Sequence, residues 1–164
     1  PMIKLPNDLY ASGNKLGGML SEFSARGRSL DYVILGLGLN VNWKPGKEKV
    51  GRYPATSILC ETGMKVSRED LLVHILKRFE SYYLDVQTGK TDTYYERWND
   101  RSMLLGRRVE LRTSIGRVCG KAIRTERNGA LVVLDDQGQE RKIVSGDVTV
   151  EGIGDESSGE WANF

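Results

Sequence analysis

Residues 31–43 read DYVILGLGLNVNW. Tyr32-Val33-Ile34-Leu35 is an unbroken apolar run, which predicts a strand covered on both faces. Gly36 and Gly38 follow at alternate positions, and glycines inside a strand let a ligand approach the backbone closely. The run is not a dinucleotide fingerprint, because Asn40 and Val41 come next, with no third glycine and no helical pattern.

Working outward, MIKL and MLSEFS also read as strands, and residues 24–29 between two strand-like runs read as a hairpin loop. Arg26-Gly27-Arg28 in that loop reads as a solvated pair rather than an anion site. Residues 44–49 lack periodicity and read as a surface loop. VSREDLLVHILKRFESYYLDV, residues 66–86, predicts a helix with Ser67 as N-cap and Asp70 three residues on. Its apolar face is Leu71, Leu72, Ile75, Leu76, Phe79, Tyr83 and Val86. Thr91-Asp92 predicts the cap of a second helix that ends near Met103, with Tyr94, Tyr95 and Trp98 as packing residues. From Gly106 the texture changes to short strand-like runs (RRVELRT, GRVCGKAIRTE, GALVVLDD, RKIVSGDVTVE) separated by turn signals such as Asn128-Gly129. These predict a small antiparallel barrel of about five strands. The domain boundary falls near 104–106, giving 1–104, 105–151 and a polar Gly/Ser-rich tail, 152–164, expected to be disordered unless Trp161 and Phe164 dock.

The 164 residues carry 39% hydrophobic and 28% charged side chains, enough to form a core. No apolar run is long enough to span a membrane, and the start has no signal-peptide pattern. Cys60 and Cys119 lie far apart in no CxxC pattern and His74 is the single histidine, which argues against a thiolate or imidazole metal site. The expectation is a reduced, cytoplasmic protein. A formal charge of +2 gives no argument for nucleic acid. Chemistry must therefore come from Lys, Arg, Asp, Asn and backbone.

Lys4, Asn7, Asp8, Lys15, Gly17, Gly18, Gly36, Gly38 and Asn40 form the candidate set. Lys15 before Gly17-Gly18 suits a carboxylate or phosphate anion. Asp8 suits Mg²⁺ bridging phosphates, an ion that needs only one or two protein carboxylates. Asn7 and Asn40 suit neutral hydrogen bonds to a ligand. The blander readings stand beside these: Pro6-Asn7-Asp8 as an ordinary turn, and residues 15–18 as a strand with a bulge.

In order, these pieces resemble the biotin protein ligase family. Its K-W-P-N-D motif appears as Lys4-Leu5-Pro6-Asn7-Asp8. Its K-x-G-G-[IM]-L element appears as Lys15-Leu16-Gly17-Gly18-Met19-Leu20, and its G-x-G-[IL]-N-V-N strand as residues 36–42. Ala55-Thr56-Ser57-Ile58 is similar to its A-T-S-L segment, and Gly129-Ala130-Leu131 and Ser145-Gly146-Asp147-Val148 to its small SH3-like domain. The resemblance implies an α+β fold: the second half of a catalytic domain of the class II aminoacyl-tRNA synthetase/biotin–lipoate ligase type, with a partial mixed or antiparallel sheet, then the barrel. It implies that biotin and MgATP form biotinyl-5′-adenylate, and that the acyl group passes to a lysine of a biotin carboxyl carrier protein.

By position, Lys15 and Asp8 would be catalytic, with Lys15 on the biotin carboxylate and Asp8 as general base or Mg²⁺ support. Gly17, Gly18, Gly36 and Gly38 would floor the biotin and adenylate site, and Asn7, Asn40 and Lys4 would lie near the nucleotide. Two features depart from the pattern. Leu5 replaces the motif tryptophan, and the family's upstream G-R-G-R-x-x-R-x-W loop has no counterpart. The chain is therefore expected to be a C-terminal fragment, an expectation that Pro1 as first residue fits, and one that can be inactive alone. Two other functions stand open: a non-catalytic interaction module, and a lipoate ligase relative. An unpaired sheet edge favours a homodimer, and DNA binding would need a helix-turn-helix domain outside these residues.

Overall fold

The computed structural model describes residues 1–27, 29–46, 54–113 and 116–144, and the backbone of 147–150. Arg28, residues 47–49 of the expected surface loop, Ser145-Gly146 and the tail 152–164 lie outside the described residues. Two compact units are present. One comprises Pro1 with Asn7–Lys77, and the other Met2–Pro6 with Arg78 onward. No helix among the described residues is long and apolar enough to cross a membrane.

The first unit is built on antiparallel strands β2 (Asp8–Ala11), β3 (Asn14–Arg26) and β4 (Ser29–Leu39). Ser12 and Gly13 join β2 to β3 with φ of 49° and 79°, the left-handed pair that a two-residue hairpin turn requires. Strands β3 and β4 extend to Arg26 and from Ser29, so the expected 24–29 loop shrinks to a turn at its tip. Helix α1 (Ile58–Thr62) is capped by Ser57, whose Oγ accepts from the Cys60 N–H at 3.1 Å. Helix α2 (Arg68–Gln87) starts as expected, with Ser67 Oγ accepting from the Asp70 N–H at 3.0 Å.

Two expectations about cover are corrected. Both faces of β4 are open among the described residues, with Tyr32, Val33, Ile34 and Leu35 at 56%, 54%, 56% and 46% exposure. On α2 the apolar face forms, but Leu72, Leu76, Phe79, Tyr83 and Val86 are exposed. Only near the end of β4 does the helix supply cover, where Leu37 and Leu39 with Leu71, Leu72 and Ile75 line a hollow of about 310 Å³. Periodicity reports which side of an element is apolar, while cover depends on what the rest of the protein brings to it.

In the second unit, Ile3 of β1 (Met2–Lys4) exchanges backbone hydrogen bonds with Arg101 and Met103, at 2.7 and 2.8 Å. Helix α3 (Asp92–Asp100) stops three residues short of Met103, and Thr91 precedes it without making a side-chain cap bond. Strands β5 (Arg108–Thr113), β6 (Gly116–Thr125), β7 (Leu131–Asp135), β8 (Glu140–Ile143) and β9 (Asp147–Val150) form one antiparallel sheet in the order β8-β7-β6-β5-β9. The run RKIVSGDVTVE thus supplies two strands. Asn128 closes the tight turn before β7, its Oδ1 accepting from the Ala130 N–H at 3.1 Å. The core lies here: Leu5, Leu104, Val109, Leu111, Ala122, Leu131 and Val133 are buried, and Trp98 packs on them as expected.

Candidate functional site

The site is assembled on β2 and β3 by an irregularity. Asp8 pairs with Gly18 and Leu9 with Gly17, but Tyr10 pairs with Lys15, so Leu16 is an extra residue in β3. Lys15 lies three residues before Gly18, and strict alternation would send it to the opposite face. The bulge breaks that alternation, and Lys15 Nζ reaches Asp8 Oδ1 at 2.7 Å. Residues 15–18 are thus a bulged strand, and the bulge is what brings the ammonium to the carboxylate. Asp8 follows a turn at residues 5–7. Both blander readings hold as geometry, and both serve the pair. The Asp8 side chain is 14% exposed and that of Lys15 37%, so the ammonium is the accessible partner.

Beside this pair the backbone is bare. Gly18 faces Gly38, and Gly36 lies two residues further on the same face of β4. The four glycines have different reasons to lack a side chain. A Cβ at Gly17 would collide with the Gly38 carbonyl, and one at Gly18 would come within 2.8 Å of Asp8 Oδ1. At Gly36 and Gly38 a Cβ would meet nothing nearer than 3.6 and 3.8 Å. Packing dictates the first two, and the latter two keep the face open for a close approach from outside.

Both asparagines are committed within the protein. Asn7 Nδ2 donates to the Met19 carbonyl at 2.5 Å, and Met19 N–H donates back to the Asn7 carbonyl at 2.8 Å. Asn40 Nδ2 donates to the Thr56 carbonyl at 2.9 Å, and its N–H to the Leu16 carbonyl at 2.9 Å. Lys4 is buried, in the second unit.

Sequence reasoning missed Glu61. Its carboxylate accepts from Ser12 Oγ at 2.6 Å and from Thr56 Oγ1 at 2.5 Å. The Ser12 hydroxyl first, then that of Thr56, holds the carboxyl below the ordinary glutamate range. Neither link has a sequence signature, since the partners lie 49 and 5 residues away on unrelated elements. Asn42 was also missed as a clamp. It donates to the Val66 carbonyl at 2.7 Å and accepts from the Val66 N–H at 3.0 Å, which holds the entry to α2.

Among the described residues no group of three or more His, Cys, Asp or Glu side chains could hold a metal ion. What remains is an accessible ammonium, its carboxylate counter-ion and an open strip of backbone. That combination suits an anion docked over a strand.

No family model matches the chain. Among curated proteins it is 32% identical over 152 residues to the bifunctional ligase/repressor BirA of Bacillus subtilis, covering 89% of this chain and 45% of that protein. It is 29% identical to the biotin–[acetyl-CoA-carboxylase] ligase of Paracoccus denitrificans, covering 84% and 58% of the two. Among solved structures, the biotin protein ligase from Aquifex aeolicus in complex with biotin and ATP superposes with a TM-score of 0.74 at 25% identity, covering 92% of this chain and 61% of that one. The chain spans about half the length of the curated relatives it matches. In sequence and in fold, over most of its length, this chain is a homologue of the biotin protein ligases.

Proposed function

We propose that the protein carrying this chain is a biotin protein ligase, and that residues 1–104 bring the Lys15/Asp8 half of its active site. The observation that carries the reading is the Lys15–Asp8 pair at 2.7 Å beside the bare backbone of Gly18, Gly36 and Gly38. In the first step a carboxylate oxygen of biotin attacks the α-phosphorus of ATP, and pyrophosphate leaves, giving biotinyl-5′-adenylate. Two anions must meet for this, and Lys15 lowers the repulsion by holding the biotin carboxylate and the charge that develops on the acyl-phosphate oxygens. In the second step the amine of a carrier-protein lysine attacks the acyl carbon and AMP leaves. Asp8, released by Lys15, takes the proton from that amine.

Magnesium enters as MgATP. Among the described residues of the site Asp8 is the carboxylate that would help hold it, which suits an ion that needs only one or two protein carboxylates. Asn7 and Asn40 act near the nucleotide through the strands they tie together. Gly17 and Gly18 complete the floor. Residues 105–151 are read as the SH3-like domain and 152–164 as a tail. The partner is the biotin carboxyl carrier protein, in the cytoplasm, and DNA is a partner only where a helix-turn-helix domain accompanies these residues.

The test is pyrophosphate release by the complete protein with MgATP, dependent on biotin. Release supported by lipoate and not by biotin would transfer the reading to a lipoate ligase. A second reading, that residues 1–164 alone are a non-catalytic interaction module, is favoured by the uncovered faces of β4. Calorimetry with biotin and MgATP on residues 1–164 decides it, since tight binding would remove that reading.

A further inference from the structure

We infer that Glu61 is a positioning residue for Lys15, acting through a clamp that joins the hairpin tip, helix α1 and the segment 54–56. The Lys15 N–H donates to the Pro54 carbonyl and the Thr56 N–H donates to the Lys15 carbonyl, each at 2.9 Å. Lys15 therefore gains a short parallel partner on the side away from Tyr10. That partner segment has no sheet of its own. It is held by the Asn40 amide on the Thr56 carbonyl and by the Glu61 carboxylate on the Thr56 hydroxyl. Thr56 is 4% exposed, and its hydroxyl is turned to the Glu61 carboxylate.

The same carboxylate holds the other flank of Lys15. Ser12 occupies the first central position of the β2–β3 turn with a φ of 49°, a place that Asn, Asp or Gly fills with less strain. Its hydroxyl, at 2.6 Å from Glu61, is what serine offers there instead. Three residues on, the chain reaches Lys15. One carboxylate thus ties down both the turn that leads into Lys15 and the segment that lies beside it. The Lys15 backbone is fixed, and its side chain swings from a known point beside Asp8.

Amide hydrogen exchange on residues 1–164 tests the clamp. In Glu61→Ala, exchange at Lys15 and Thr56 should rise about tenfold, as expected for losing one exposed and one part-buried hydrogen bond. The amides of the β3–β4 ladder should keep wild-type rates, and Glu61→Gln should restore most of the protection. Ser12→Gly removes the hydroxyl while relieving the turn, and should loosen Lys15 although the turn itself gains. Unchanged exchange at Lys15 in both Glu61→Ala and Ser12→Gly would overturn the inference. A uniform rise across β3 and β4 would overturn it too, since it would make Glu61 a general stabiliser. The importance of Lys15 rests on the ligase reading, but its immobilisation does not. Loss of protection in Glu61→Ala together with normal biotin-dependent pyrophosphate release in Lys15→Ala would leave the clamp standing and remove the ligase role of Lys15.

Discussion

A methyl group at Gly17 would run into the Gly38 carbonyl, whereas one at Gly38 would find room on an open face. The two substitutions should therefore separate folding from binding. Gly17→Ala is expected to lower stability by about 1–3 kcal/mol, the usual range for overpacking, measured by chemical denaturation. Gly38→Ala should leave the denaturation curve unchanged and weaken biotin binding by about tenfold, as a methyl group lifts the ligand from the strand. Both glycines, with Asp8 and Lys15, stand out in the sequence as candidates because they sit in short motifs, and the register of one hairpin and its neighbouring strand brings those motifs together. Glu61 was not legible, because its partners Ser12 and Thr56 come from separate segments and no periodicity links them. The sequence suggests the asparagines as donors to a ligand, but not their bonds within the protein. Asn7 and Asn40 spend their amide donors on the Met19 and Thr56 carbonyls.

Among the elements, the long helix, the second helix and the short strands beyond Gly106 follow from local pattern. Ser67 caps where expected, and Asn128-Gly129 turns where expected. What pattern did not deliver was the environment of β4 and α2, whose apolar residues are open to solvent among the described residues. Strand β4 is an edge of its sheet, carries no proline or lysine, and shows aliphatic side chains on both faces. Such an edge is a template for another strand. Residues 1–164 alone are expected to self-associate in sedimentation velocity, and Ile34→Lys, which puts a charge on that edge, should shift the protein towards monomer. A wild-type chain that stays monomeric at high concentration would contradict this.

The turn from β7 to β8 gives a pH prediction of the same kind. Asp135 accepts from Arg141 Nε at 2.9 Å and from the N–H groups of Gln139 and Gln137 at 2.8 and 3.0 Å. Arg141 first, then the Gln139 N–H, holds this carboxyl below the usual aspartate range. A depressed folded pKa contributes stability above the unfolded value of about 3.9 and loses it as pH falls through the folded value. The melting-temperature gap between wild type and Asp135→Asn should accordingly be full at neutral pH and close below about pH 4. A gap independent of pH would show that the Asp135 charge does not contribute.

At the scale of the whole molecule, the buried core lies in the second unit and the accessible charge pair in the first. The homologues are biotin protein ligases of which this chain covers about half, and the candidate site is built around one ammonium. The most direct measurement is biotin-dependent adenylate formation and transfer to a carrier lysine by the complete protein, wild type against Lys15→Ala, in single turnover. With the fold retained, the substitution should slow the chemistry by about 100- to 1,000-fold, the usual cost of removing one preorganised group that stabilises developing negative charge. Transfer at the wild-type rate by Lys15→Ala would contradict the account.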